Sequence, residues 1–188
     1  MSKVVIAGDA SGTGTFTISA PNGNTDRTLV LPDEAGTVLT SVGVPTSAMP
    51  AGSVIQVVST SSDTQTVSFT SNTWVDTTFS LDITPSSASN KIFLSFASGG
   101  LVNDTNYVGI RILRGATVVS TNWSYHSRNE TWNGALNFAI TGFDSPSSTS
   151  PVTYKIQIFS TQNSSKFYFN YAGAGSQMAH FTAMEIAA

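Results

Sequence analysis

Cysteine is absent from the 188 residues, which excludes disulfides, thiolate nucleophiles and cysteine-type zinc sites. Charge is scarce as well: 10% of positions are charged, with 8 Lys and Arg against 11 Asp and Glu, a net charge of −3. The basic residues are scattered, so no basic stripe is available for a phosphate backbone and no polybasic patch for a membrane surface. Nucleic acid is therefore not expected as a partner. No stretch approaches the roughly 20 apolar residues that span a bilayer as a helix, so membrane insertion is not expected either. Helix builders are few, with 8 Leu, 3 Glu and 4 Lys. That excludes a helical bundle, and with it a large α/β enzyme, whose parallel sheet needs helices on its faces.

Catalytic patterns are missing too. The two histidines, His126 and His180, lie far apart, and there is no His-Glu-x-x-His, no phosphate loop ending in Lys and no Gly-x-Ser-x-Gly elbow. Gly12-Thr13-Gly14 and Gly173-Ala174-Gly175 lack the third glycine of a dinucleotide fingerprint and read as turns. A glycosidase needs two carboxylates flanking the scissile bond, and no pair is singled out. Asp33 and Glu34 are adjacent, but in a turn-like, solvated stretch. Asn22-Gly23-Asn24-Thr25-Asp26 and Asn103-Asp104-Thr105-Asn106 carry oxygen side chains; the first lacks the acidic first ligand and distal Glu of a calcium loop. No enzyme activity, cofactor or metal is expected.

What the chain does contain is strand material. It has 28 Ser, 25 Thr, 16 Val and 11 Ile, together with 11 Phe, 5 Tyr and 3 Trp for a core. From Val54 onward the hydrophobic period is two. Val152, Tyr154, Ile156 and Ile158 alternate with Thr153, Lys155 and Gln157. Val108, Ile110 and Ile112 form one face, Ile92, Leu94 and Phe96 another, and Phe167, Phe169 and Tyr171 a third. Further strands are predicted near 54–59, 66–70, 77–83, 117–124, 134–141 and 179–186. Met184 and Ile186 share a face of the last one, which His180 precedes as a structural histidine. Arg114-Gly115-Ala116-Thr117 reads as a tight hairpin turn, and the loops Pro85–Asn90 and Asp144–Pro151 separate strands. Many short strands with regular turns predict an antiparallel sandwich, jelly roll or small barrel over 54–188.

Residues 1–43 read differently. They hold one Phe and no Trp or Tyr, and are too short and thinly apolar to fold alone. Such a segment either lies along a neighbouring surface or winds together with other copies of itself. Residues 44–53, with Pro45, Pro50 and Gly52, form a linker that admits neither helix nor central strand. The first residues, Met1 to Gly8, carry one positive charge and too short an apolar run for a secretory signal, so synthesis in the cytosol is expected.

The segment 122–133 is the most suggestive for binding. Trp123, Tyr125, His126, Arg128, Glu130 and Trp132 stand there among polar residues. Aromatic faces stack on sugars, Arg and Glu bond hydroxyls, and Trp, Tyr and Arg dominate protein contacts. Trp123 and Tyr125 lie two apart, hence on one strand face, and filling the core or a trimer axis is the competing role.

Thr28-Leu29-Val30-Leu31-Pro32 followed by Asp33-Glu34-Ala35-Gly36-Thr37-Val38-Leu39 resembles the Thr-Leu-Thr-Leu-Pro-x-x-x-Gly-Thr-Leu element of bacteriophage tail-fibre shafts and attachment regions. The remainder resembles compact domains of phage structural proteins. The matching pieces are Ile83 to Ile92, Arg111 to Val119, Asp144-Ser145-Pro146, Val152 to Ile156 and Thr182 to Ala188, in the expected order. The resemblance implies a homotrimeric, all-β protein: an antiparallel jelly-roll knob, similar to tumour necrosis factor-like knobs, on a short extended stem. Its apolar arm residues would be Val4, Ile6, Phe16, Ile18, Leu29, Leu31, Val38 and Leu39. The expected location is the virion. Two roles follow. One is a short tail fibre that attaches to baseplate or tail proteins and meets a host-surface glycan or protein. The other is a head fibre or cement protein that decorates the major capsid protein at threefold sites. A single stem element argues against a long fibre.

Overall fold

A computed structural model describes residues 10–15, 17, 19, 22–26, 28, 44, 46–62, 66–68, 72–102, 106–126, 134–161, 167–169 and 178–188, some of them as backbone only. The chain divides into two compact units, Met1–Val38 and Leu39–Ala188. All eight apolar arm residues lie outside the described residues. Within the first unit, Asn22 to Thr25 form an exposed bend.

Among the described residues, the second unit contains a 3-10 turn, Thr46–Ala48, and ten strands. They are β1 (Val54–Ser62), β2 (Thr66–Ser68), β3 (Val75–Ile83), β4 (Lys91–Val102), β5 (Asn106–Arg114), β6 (Thr117–His126), β7 (Gly134–Asp144), β8 (Val152–Ser160), β9 (Phe167–Phe169) and β10 (Ala179–Ile186). The strands predicted from period-two alternation are present, and several run a few residues longer. Asp144, read as loop, is the last residue of β7.

Eight long strands form two sheets. Sheet A runs β1-β10-β4-β7, with the short β9 and β2 added beyond β10 along the same edge of β4; sheet B runs β3-β8-β5-β6. Every pairing is antiparallel, and the pairs β1·β10, β3·β8, β4·β7 and β5·β6 nest inside one another along the chain. This is a long hairpin rolled up so that its two ribbons face each other: the jelly roll. The innermost turn is Gly115-Ala116, where Gly115 takes a φ of +58° that suits a two-residue hairpin.

Alternation explains the core. Ile92, Leu94 and Phe96 of β4, Val108, Ile110 and Ile112 of β5, and Val152, Tyr154, Ile156 and Ile158 of β8 all face inward and are buried. Phe96 packs edge-on against Phe79 and Phe181 from the neighbouring strands, with centroids 5.2 and 6.0 Å away. Each such side chain contributes about 1.5–3 kcal/mol by leaving water. On β10 the inward residues are Ala179, Phe181, Ala183 and Glu185. Met184 and Ile186 do share a face, but it is the outer one, and His180 is exposed on that face.

Two polar clusters close one end of the sandwich. Glu185 is 0% exposed, and four donors converge on its carboxylate. Ser86 N–H, Ser86 Oγ and Asn90 Nδ2 donate to Oε1 at 2.7, 2.8 and 2.7 Å, and Gln56 Nε2 donates to Oε2 at 2.6 Å. Burial pushes this carboxyl up, but the donors from Asn90, Gln56 and Ser86 together bring it below the ordinary value. In the second cluster Asp144 accepts from Arg114 Nε at 2.6 Å and from the buried Tyr154 hydroxyl at 2.7 Å. The hydrogen bond to Asp144 raises the Arg114 pKa, and burial raises that of Tyr154. These two clusters join the sequence pieces that carry the phage resemblance, so those pieces fasten the fold. The linker enters at the same end: Gly52 N–H donates to Ala187 O and Ala187 N–H to Ser53 O, both at 2.9 Å.

Candidate functional site

The opposite end of sheet B carries an outward cluster of aromatic rings. Alternation on β6 turns Trp123 and Tyr125 away from the core, and they are 51% and 55% exposed. A core role is thereby excluded for both. On β5 the directly opposed residues are Gly109, facing Trp123, and Tyr107, facing Tyr125. The Tyr107 and Tyr125 rings are 4.6 Å apart, and Tyr107 is itself 51% exposed.

Gly109 provides the seat for two indoles. A Cβ there would lie 2.8 Å from Trp74 Cη2 and 3.0 Å from Trp123 Cζ3, so any side chain would displace the rings. Trp74 and Trp123 meet edge-on at 5.4 Å, and Phe159 of β8 touches both, at 5.3 and 5.2 Å. Trp74 reaches this place through a local backbone device. Asn72 adopts φ +56°, which Asn tolerates, and its N–H donates to Ser160 O at 2.8 Å. That bond holds the approach to β3 against the end of β8.

A polar row runs beside the rings. Arg111 lies over the Trp74 ring, 4.2 Å from its centroid, and its Nε donates to Gln157 Oε1 at 2.8 Å. Gln157 Nε2 in turn donates to Asp76, as does Lys155 Nζ at 2.8 Å. The hydrogen bonds from Lys155 and Gln157 lower the Asp76 pKa. Burial lowers that of Arg111, with Asp76 opposing the shift. On the far side of Trp123 a cleft of about 280 Å³ opens between β6 and β7, rimmed by Asn122, Ser124 and Asn137. Asn122 Nδ2 bridges its mouth to Ala139 O at 3.2 Å.

Of the six residues predicted for binding, Trp123 and Tyr125 are thus brought together on one exposed face. The His126 backbone pairs with Asn106. Arg128, Glu130 and Trp132 lie outside the described residues. The sequence reading missed Trp74, Tyr107, Gly109, Arg111 and Phe159. Gly109 in mid-strand was the one local sign, since glycine inside a strand marks a close approach. Among the described residues, no three His, Asp or Glu side chains come together as a metal site would need.

No protein-family model matches the chain, and no curated protein sequence matches it. Solved structures with some likeness include the infectious bursal disease virus Gx strain (15% identity, TM-score 0.39, 79% of this chain and 42% of that one). Others are the T=1 particles derived from that virus (16%, 0.37, 80% and 41%) and its VP2 subviral particle (16%, 0.32, 70% and 38%). The chain spans about two-fifths of the length of these proteins. The jelly-roll assignment rests on the strand order above and not on this likeness.

Proposed function

We propose that the chain is a non-enzymatic surface protein of a bacteriophage virion, a short homotrimeric tail fibre that attaches through residues 1–43 and meets the host with its jelly-roll knob. The observation that carries this reading is the ring cluster on sheet B. Its aromatic side chains are held in place by one another, stay half exposed, and lie toward the end remote from the point where the linker enters the knob. Large exposed rings gathered on one face mark a contact surface. The resemblance of residues 28–39 to tail-fibre stems supports the attachment role.

For contact between copies we propose the outer face of sheet A. Val57, Met184, Phe93 and Phe143 are register partners in one row across four strands. Val57 and Phe143 are 56% and 64% exposed, and the Phe93 and Phe143 rings lie 5.0 Å apart. Lys91 is the charged residue of this face among those described, so copies would meet there with little like-charge repulsion.

Adsorption of particles carrying Trp123→Ala or Tyr125→Ala tests the host-contact role. Loss of adsorption by a variant with unchanged melting is expected. Normal adsorption by both would overturn it. Counting copies per particle by quantitative mass spectrometry tests the location. A count matching baseplate or tail proteins is expected, and a count approaching that of the major capsid protein would replace the fibre with a decoration protein.

A further inference from the structure

We infer that the ring cluster of sheet B binds an anionic saccharide, with a sugar ring against the exposed aromatic side chains and its carboxylate or phosphate on Arg111. This rests on the host-contact reading and gives it a ligand class.

Three observations carry it. First, the cluster is preorganised. Trp74, Trp123 and Phe159 touch one another within 5.2–5.4 Å and are seated over the bare backbone of Gly109. A ligand would find the rings already in place and would spend little on ordering them. Second, the groups around the rings are polar: Arg111, Gln157 and Asp76 are register partners across β5, β8 and β3, and Lys155, two residues before Gln157 on β8, reaches Asp76. Such a face offers hydrogen-bond donors and acceptors to sugar hydroxyls beside the rings. Third, the charges are allocated unevenly. Among the described residues the ion pairs are Arg114–Asp144 and Lys155–Asp76. Asp76, the nearest acid, is engaged by Lys155 and by Gln157. Arg111 is oriented by Gln157 through Nε and by the Trp74 face, and among the described residues no carboxylate forms an ion pair with it. A planar guanidinium held in this way suits a carboxylate or phosphate.

The test uses the purified full chain and its own tryptophan fluorescence. Three probes are titrated: an oligogalacturonate for carboxylate, a glucosylated glycerol-phosphate oligomer for phosphate, and a neutral galacto-oligosaccharide. Binding of at least one anionic probe is expected, weakened by salt, with the neutral probe at least roughly tenfold weaker. Arg111→Gln should abolish the preference for the anion and leave the weak neutral binding. Arg111→Lys should retain part of the preference, and Trp123→Ala should reduce binding of all probes. Equal binding of neutral and anionic probes, or an anion preference that survives Arg111→Gln, would overturn the role of Arg111. No response to any probe at millimolar concentration would overturn the saccharide. In that case loss of adsorption by the Trp123→Ala particle would still uphold host contact, and the ligand would be a protein.

Discussion

Replacing Glu185 by Gln is the sharpest test of what holds the jelly roll closed. Three donors meet Oε1 and one meets Oε2. A glutamine can present its carbonyl to Ser86 and Asn90, but its NH2 must then face the Gln56 amide. Gln56 cannot turn over without losing the bond from its Nε2 to Thr84 O, at 2.7 Å. One bond is therefore lost, and three change from charged to neutral acceptors. With bonds to charged groups at about 1.5–3 kcal/mol and neutral ones at about 0.5–1.5, the bonds alone give about 6 kcal/mol at mid-range; burying a neutral amide in place of a carboxylate offsets about half of that, so the expected cost is about 3 kcal/mol. For a domain of this size that lowers the melting temperature by about 6–12 °C. The pH profile gives a second readout. The native carboxyl titrates below the ordinary glutamate value of 4.5, so its stabilisation is fully present above that pH and is lost as pH falls through the lower native value. Wild type should lose stability on acidification in that window, and Glu185→Gln should lose less. Urea midpoints across this range at fixed protein concentration measure both effects. A variant within about 0.5 kcal/mol of wild type, with the same acid profile, would refute the claim that this carboxylate is charged and clasped in the native state.

Other substitutions read other parts of the argument. Gly109→Ala should force the two indoles apart, cost about 1–3 kcal/mol and change the near-ultraviolet circular dichroism, and an unchanged spectrum would contradict the close seat. Tyr154→Phe removes one hydroxyl and should lower stability by about 1 kcal/mol. Asp144→Ala strands both Tyr154 and Arg114 and should cost about 2–3 kcal/mol by urea midpoint, reduced by the partial exposure of Arg114. On the proposed sheet A contact, Phe143→Glu should lower the mass measured by light scattering from that of the proposed trimer toward monomer with secondary structure retained. An unchanged trimer would move the contact to another face.

Much of the fold was legible in the sequence because inward alternation is a local property. Val152, Tyr154, Ile156 and Ile158 declare their strand without reference to any neighbour. Gly115 declared the hairpin because a two-residue turn needs its backbone freedom. What the sequence left open was which face a short pattern points. On β10, Met184 and Ile186 are the conspicuous hydrophobes, yet the smaller Ala179, Ala183 and the charged Glu185 face inward. A Glu occupies an inward position when four donors from distant segments wait for it, and those donors sit 95 to 129 residues away along the chain. The same distance hid the site. Trp123 and Tyr125 were visible as an aromatic segment, but Trp74 and Phe159 join them only once β3, β8, β5 and β6 lie side by side.

The two outer faces of the sandwich show which residues the fold itself does not need. The inner-face alternation closes the core without Trp123, Tyr125, Tyr107, Val57 or Phe143, all of which lie half in water. Outward positions of a sheet that served stability alone would be filled by Thr and Ser, as they are at Thr78, Ser80, Thr141 and Thr153. Most of the large apolar departures are gathered. On sheet A Val57 and Phe143 fall in one cross-strand row, and on sheet B Tyr107, Trp123 and Tyr125 gather at the end away from the linker, while Val54 and Val118 stand apart from both groups. Exposed rings and aliphatic chains are a solubility liability unless something covers them. The faces also differ in charge: sheet B pairs its rings with Arg111, Lys155 and Asp76, while the apolar row of sheet A has none. An uncharged row suits contact with a copy of itself, where any charge would meet its like near the symmetry axis. A charged, aromatic face suits a polar ligand. The proposed division of labour requires the variants to separate: Phe143→Glu should weaken self-association and spare saccharide binding per chain, and Arg111→Gln should spare self-association and lose the preference for the anionic saccharide.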